Sequence, residues 1–287
     1  MMMEKINSDF NGQLNLAISI FKGEYGKNFL HQLISSQLDM DRLDYLRRDS
    51  FYTGVTEGNI GSARIIKMLN VIDDSLVVEH KGIYSLENYL TTRRLMYWQV
   101  YLHRTCVAYE KVLINMLTRA KDLIKMGQDV FASPALYYFL SNNVDAAWFD
   151  THPEALENYG ELDDSDIWSA MKAWKHHSDK ILSTLATDML DRKIFKVEVH
   201  EEPITEDRIA ELKEKIAQKL DISIDDAHYL MSVNTISKDM YNVDDDSITI
   251  LYKDGSVRDI SEASELLNVQ LLSKKIRKYY LCYQRFE

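Results

Sequence analysis

Between Asp39 and Asp49 the chain reads Asp-Met-Asp-Arg-Leu-Asp-Tyr-Leu-Arg-Arg-Asp, which places four carboxylates and three guanidiniums within eleven residues. At 3.6 residues per turn Asp41, Tyr45 and Arg48 share one helical face and Arg42, Tyr45 and Asp49 an overlapping one, while Leu43 and Leu46 point away. A carboxylate such as Asp41 can ligate a hard cation, a guanidinium such as Arg42 can clamp phosphate oxygens, and Asp49 can accept from a sugar hydroxyl. The same residues also make an ordinary capped, salt-bridged helix start, with acids early and arginines late as the helix dipole favours. On spacing alone that plainer reading is preferred.

Such side chains need elements to hold them. Leu14, Ala17, Ile18 and Phe21 recur at helical spacing over residues 11–21, ahead of Gly23 and Gly26, and a second helix is expected over residues 29–36, ending near His31 as a surface or capping histidine. After the charged segment, Gly54 and the Gly58–Gly61 turn mark a break, and Ile65, Ile66, Met68 and Leu69 belong to a short helix. Residues 75–84 read as a hairpin around Lys81-Gly82. From Glu87 to about Met126 no glycine or proline occurs, so one continuous helix is expected, about 60 Å long at 1.5 Å per residue. Arg93, Tyr97, Tyr101 and Arg104 lie near one face of it, Trp98, Cys106, Leu113 and Ile114 supply buried area, and His103 is a further candidate for a substrate pocket. For Tyr97, Trp98 and Tyr101 taken alone, core packing is the plainer reading.

Ser133-Pro134 starts a helix, a cap followed by proline at the first helical position. Residues 145–166 carry eight acids and no Lys or Arg, with a capped helix start at residues 163–166. Helices through residues 167–176 and near 180–189 follow. His176 and His177 are adjacent, diverge on a helix and read as surface residues. At residue 193 the texture changes to strand 193–200, helix 205–220, strand 229–234, a hairpin on Asp254-Gly255, a helix near 260–267 and a last strand over 278–284. The expected fold is mainly α, with residues 1–192 as a partial helical bundle and residues 193–287 as a small α/β domain.

The 287 residues suffice for a sizeable core. A net charge of −11 argues against general affinity for nucleic-acid backbone, which needs clustered Lys and Arg. No apolar run reaches membrane-spanning length and no signal-peptide pattern opens the chain. Cys106 and Cys282 read as isolated, buried thiols without a disulfide framework, which points to a soluble protein in a reducing, cytoplasmic setting.

The run from Gln37 through Asp49, followed by Phe-Tyr-Thr-Gly54, resembles the segment that carries the last metal-binding aspartate of HD-domain phosphohydrolases. The resemblance is to the branch of deoxynucleoside-triphosphate triphosphohydrolases and their bacterial relatives. A second block, Thr92-Arg-Arg-Leu-Met-Tyr-Trp-Gln-Val-Tyr-Leu-His103, is similar to that branch's helix bearing a phosphate-binding arginine and a tyrosine beside the nucleotide. The likeness covers residues 10–200 and, more loosely, the remainder.

It implies Asp41 as a metal ligand, Arg42 and Arg93 on phosphates, Tyr45 and Asp49 on the sugar side, and Tyr101 beside base and sugar. It also implies a divalent metal, with Mg, Mn, Fe, Ni and Zn all open, a dNTP or other phosphoester as substrate, and a homodimer. In the family the metal activates water, and a dNTP yields deoxynucleoside and triphosphate. The chain departs from the pattern: none of its eight histidines is followed by aspartate, so the His and His-Asp ligands are missing. The expectation is a chain lacking the N-terminal portion of its active site, with no identifiable catalytic residue and no activity alone. The alternatives are a non-catalytic nucleotide-binding or oligomerisation protein, and hydrolysis of another phosphoester.

Overall fold

Side-chain caps and left-handed residues set the helix ends in the computed structural model, which describes residues 2–238, 241, 247–264 and 276–285. The first helices are α1 (Met2–Asp9), α2 (Asn15–Phe21) and α3 (Asn28–Gln32). Next comes α4 (Met40–Thr53), which starts where the Asp39 side chain accepts from Arg42 N and stops at Gly54, whose φ of +71° only glycine adopts freely. After α5 (Ser62–Met68), strands β1 (Leu69–Ile72) and β2 (Ser75–Glu79) pair antiparallel. Their turn is Asp73-Asp74, with φ of 47° and 58° at both positions as a mirror-image hairpin turn requires. The hairpin therefore precedes Lys81-Gly82, which instead lies in a 3₁₀ turn, and Leu69 opens a strand rather than closing a helix.

The expected forty-residue helix is not continuous. Helix α6 (Ile83–Met96) runs into a π-helical turn, Tyr97–Tyr101, closed by Leu102 N donating to Tyr97 O at 2.7 Å, and α7 (Arg104–Lys125) begins after a break at Leu102–His103. An i→i+5 bond accommodates one extra residue, so the break needs neither glycine nor proline. The chain continues through α8 (Pro134–Ser141), α9 (Ala146–Thr151), α10 (Pro153–Glu161), α11 (Asp164–Trp174), α12 (Lys180–Leu190), β3 (Lys196–His200) and α13 (Glu206–Leu220). Ser133 caps α8 and Asp163 with Asp166 forms the capping box of α11, both as read from sequence. Then follow β4 (Met231–Lys238), β5 (Thr249–Leu251), β6 (Val257–Asp259), α14 (Ile260–Ala263) and β7 (Ile276–Tyr283). The expected helix over 260–267 is seen to Ala263, and residues 265–267 lie outside the described residues.

The chain divides into two compact units, Met1–His103 with Ser237–Ile276, and Arg104–Ile236 with Arg277–Glu287, so residues beyond 193 are shared between them. The first holds a four-stranded sheet in the order β1-β2-β5-β6, in which β5 pairs parallel to β2 across a long sequence separation. Its core joins Leu43 and Leu46 of α4 to Leu86, Tyr89, Leu90 and Met96 of α6. The 3₁₀ turn Thr56–Gly58 seals α4 to α6: a Cβ on Gly58 would clash with Ser50 and Met96, so only glycine fits. The second unit buries Val112, Met116, Ala120 and Leu123 of α7 against Leu182 and Leu185 of α12 and Trp174 of α11, beside the sheet β3-β7-β4. Two residues expected to be buried on α7 are exposed, Cys106 and Ile114, because they lie off the stripe that faces α12. Cys282 is buried and burial raises its thiol pKa to about 11. Trp98 is only half-buried, since it sits in the π turn. His177 is more engaged than a surface histidine, accepting from Asp179 N at Nδ1 and meeting Asp129 O at Nε2.

Candidate functional site

The first unit brings two helical segments side by side, α4 and the run from α6 into the π turn, and five of the six predicted site residues meet there. Arg42, Tyr45 and Asp49 descend one face of α4 at three- and four-residue spacing. Opposite them stand Arg93, Tyr97 and Tyr101, each four residues apart. The Tyr101 hydroxyl donates to Asp49 Oδ2 at 2.6 Å, and its ring meets Tyr45 edge-on with centroids 6.0 Å apart. Burial and then the Asp49 hydrogen bond push the Tyr101 pKa well above the ordinary phenol value, so it stays a donor. From the same helix the buried Tyr89 hydroxyl donates to Gln37 O at 2.6 Å, tying α6 to the loop before α4.

Arg42 donates through Nη1 to Ser36 O and to the buried Asp39 carboxylate. Burial opposes its charge, yet Asp39 and the neighbouring Tyr89, Tyr45 and Tyr97 outweigh that and hold its pKa above the ordinary value. Tyr45 is pushed up to about 12, first by burial and then by Tyr97; Arg42 and Arg93 pull the other way. The Arg93 guanidinium carbon lies 6.0 Å from the Tyr97 ring centroid, and the Tyr97 and Tyr101 rings are 5.5 Å apart.

Two N–H groups of this cluster, Arg42 Nε and Arg93 Nη1, are buried and make no hydrogen bond among the described residues. Leaving a buried donor on a charged group unpaired costs about 1–3 kcal/mol or more, so such atoms mark a place where an acceptor is expected. Two guanidiniums beside three tyrosine hydroxyls form a surface suited to an anion carrying a polar, ring-bearing group.

Asp41 stands apart. It is exposed and makes no hydrogen bond or ion pair among the described residues. Among those residues no three His, Cys, Asp or Glu side chains converge as metal ligands, so the residues present do not by themselves fit a divalent ion. His103 is likewise exposed. The residue that sequence reasoning undervalued is Tyr97, taken as core packing although it occupies the centre of the cluster. Its signal was the Arg93–Tyr97–Tyr101 spacing.

Comparison with known proteins follows the same division. The HD associated region family matches residues 60–133, which include α6, Arg93 and Tyr101. The crystal structure of a phosphohydrolase from Bacteroides thetaiotaomicron is 63% identical, superposes with a TM-score of 0.95, and is matched over 99% of this chain and 71% of its own. An uncharacterised Bacillus subtilis protein, YwfO, is 30% identical over 257 residues, 88% of this chain and 56% of its own length. A Dictyostelium discoideum protein named as a deoxynucleoside triphosphate triphosphohydrolase SAMHD1 homolog is 28% identical over 119 residues, 40% of this chain and 23% of its own. The chain thus spans little more than half the length of the Bacillus relative. No helix among the described residues is long and apolar enough to cross a membrane. With an HD associated region, and a phosphohydrolase of known structure that is 63% identical and matches 99% of this chain, the chain belongs to the HD phosphohydrolase superfamily.

Proposed function

We propose that the Arg42–Arg93 cluster binds the phosphates of a nucleotide, with a dNTP as the ligand and triphosphohydrolase chemistry as the activity of the complete site. The observation that carries this reading is the pair of buried, unpartnered guanidinium N–H groups. Phosphate oxygens supply acceptors in the planar, bidentate arrangement that a guanidinium matches, and neutralise its buried charge. Tyr45 and the Tyr101–Asp49 pair then offer hydroxyl and carboxylate groups to the sugar. The named Dictyostelium relative supports the choice of dNTP among phosphoesters.

Asp41 is proposed as one ligand of a divalent metal whose remaining ligands are not among the described residues, so this chain is expected to bind dNTPs without turning them over. Self-association belongs to the same proposal, and exposed Phe51 and Tyr52 at the end of α4 give it an apolar surface. Light scattering at micromolar concentration checks it, and a monomeric mass removes it.

The test is calorimetric titration of the four dNTPs and the four NTPs with Mg²⁺ or Mn²⁺, alongside chromatographic detection of nucleoside and triphosphate. We expect dNTP binding in the unaltered chain and a loss of about 10- to 100-fold in Arg42→Ala and in Arg93→Ala, as a charge-assisted hydrogen bond of about 1.5–3 kcal/mol implies. Absence of binding by every nucleotide would end the reading. Turnover that disappears in Asp41→Ala would show that the metal site is complete after all.

A further inference from the structure

Tyr97 stands between Arg93 and Tyr101. Its ring lies 6.0 Å from the Arg93 guanidinium carbon and 5.5 Å from the Tyr101 ring, and it is near enough to Tyr45 on the opposing helix to help raise that phenol's pKa. It is also near enough to Arg42 to favour that side chain's charge. Tyr97 is only half-buried, unlike Tyr89 one helix face away, which is fully buried and bonded to a backbone carbonyl. Tyr89 therefore has the surroundings of a core residue and Tyr97 those of a cleft wall. The backbone at Tyr97 is unusual as well, because the π turn begins at this residue and ends at Tyr101. One-turn π segments insert a residue into a helix and re-aim the side chains around them.

We propose that Tyr97 is a positioning residue of the anion site: its ring face holds Arg93 and its hydroxyl holds Tyr45, so that the phosphate and nucleoside portions of one ligand are gripped in register. The inference rests on the nucleotide-binding reading above and adds a division of labour within one side chain. The Arg93 guanidinium keeps a buried, unpartnered N–H, and an aromatic face steers it without consuming its donors. A phenol hydroxyl with a hydrogen-bond partner holds its O–H in a fixed direction, which the Tyr45 hydroxyl would lose without Tyr97. The ring and the hydroxyl can be removed separately, which makes the two roles separable.

The experiment titrates the full chain with two probes, inorganic tripolyphosphate and each of the four dNTPs, in the unaltered protein and in Tyr97→Phe, Tyr97→Ala, Tyr45→Phe and the Tyr45→Phe/Tyr97→Phe pair. Tyr97→Phe keeps the ring and is expected to weaken dNTPs about tenfold more than it weakens tripolyphosphate, whereas Tyr97→Ala weakens both probes by about tenfold. The double variant is expected to bind dNTPs no more weakly than Tyr97→Phe, because the two hydroxyls act as one unit. A merely structural tyrosine would lower both probes equally and its effects would add to those of Tyr45→Phe, which would overturn the proposal. Unchanged affinities in every Tyr97 variant, with Arg93→Ala still losing binding, would overturn it while leaving the nucleotide reading intact. If the unaltered chain binds neither probe, both fall together. Circular dichroism on each variant reports folding, and should Tyr97→Ala be unfolded, the comparison of Tyr97→Phe with Tyr45→Phe and the pair decides alone.

Discussion

The two units place arginines beside aspartate and tyrosine in opposite ways. In the second unit every guanidinium nitrogen of Arg119 of α7 has a partner within the fold. Arg119 donates to both Asp179 oxygens, at 3.2 and 2.6 Å, and to Asp226 at 3.0 Å, while Tyr229, itself bonded to Asp122, covers its face at 4.9 Å. Asp179 also caps α12 by accepting from Leu182 N, so one arginine ties α7 to the start of α12. In the first unit Arg42 and Arg93 keep a buried donor each without a partner. An arginine whose every nitrogen is bonded inside the fold serves stability; on the nucleotide-binding proposal, one that keeps a buried N–H open is held for a ligand.

The sharpest way to break this contrast is to remove a partner of Arg119. Asp179→Ala strands a guanidinium whose side chain is only 10% exposed and deletes a helix cap. We expect a loss of about 3–5 kcal/mol of stability, the usual cost of breaking a buried pair from one side. Urea unfolding followed by tryptophan fluorescence measures it, since three of the four tryptophans lie in the second unit. Acid should act on the same pair. Burial works against ionised Asp179, but Arg119 and the Leu182 N–H more than compensate and hold its pKa below the ordinary carboxylate value. A group depressed in the folded state contributes stability that is fully present above the unfolded pKa of about 3.9 and is lost as pH falls through the folded one. The acid limb of the stability curve should therefore flatten in Asp179→Ala. An unchanged acid limb would mean that other carboxylates govern it.

The next effect is smaller for stability and larger for binding. Arg93→Met removes an unpaired buried N–H while keeping much of the side chain's apolar length, so stability is expected to stay within about 1 kcal/mol of the original or to rise. Phosphate affinity should fall at least tenfold in the same variant. A drop in stability like that of Asp179→Ala would mean that Arg93 is paired within the fold, and the distinction between the units would collapse.

How much of this was visible in the sequence depends on how local the cause was. Helix α4 was readable because its cap, its Leu43–Leu46 stripe and Gly54 all lie within sixteen residues. The caps at Ser133 and Asp163 were readable for the same reason. The β1–β2 turn was misplaced because Asp73-Asp74 is a weaker signal than the glycine in Lys81-Gly82, although both aspartates adopt positive φ. The parallel pairing of β2 with β5 joins Val78 to Ile250 and has no local signature. The π turn was hidden because the residues from Tyr97 to Tyr101 contain no helix breaker. Spacing and family likeness singled out Arg42, Tyr45, Asp49, Arg93 and Tyr101, which the fold brings into one cluster. An unpartnered donor, however, is a property of the packed fold, and the order of residues does not show that Arg93 keeps one and Arg119 does not.

A third arginine sharpens the comparison from the other side and carries the smallest expected effect. Arg48 on α4 pairs with Asp44 at 2.8 Å, one turn away, with both side chains more than half exposed. It has a partner, as Arg119 does, and it shares a helix with Arg42, so it tests whether pairing or location decides an arginine's role. Water screens both charges, and holding two long side chains together costs entropy that offsets most of the attraction. A double-mutant cycle with Asp44→Ala and Arg48→Ala is expected to give a coupling of about 0.3–0.5 kcal/mol, which disappears in 1 M salt. The same variants should bind dNTPs as the unaltered chain does, since both side chains are more than half exposed and paired with each other. A coupling of several kcal/mol would show that pairing alone makes an arginine structural, whatever its exposure. A loss of nucleotide binding would extend the anion site across α4 to its outer face. Only the small, salt-sensitive coupling with intact binding leaves burial as the property that separates a solvated ion pair from the Arg119 lock, and the open donor as the property that separates that lock from the Arg42–Arg93 site.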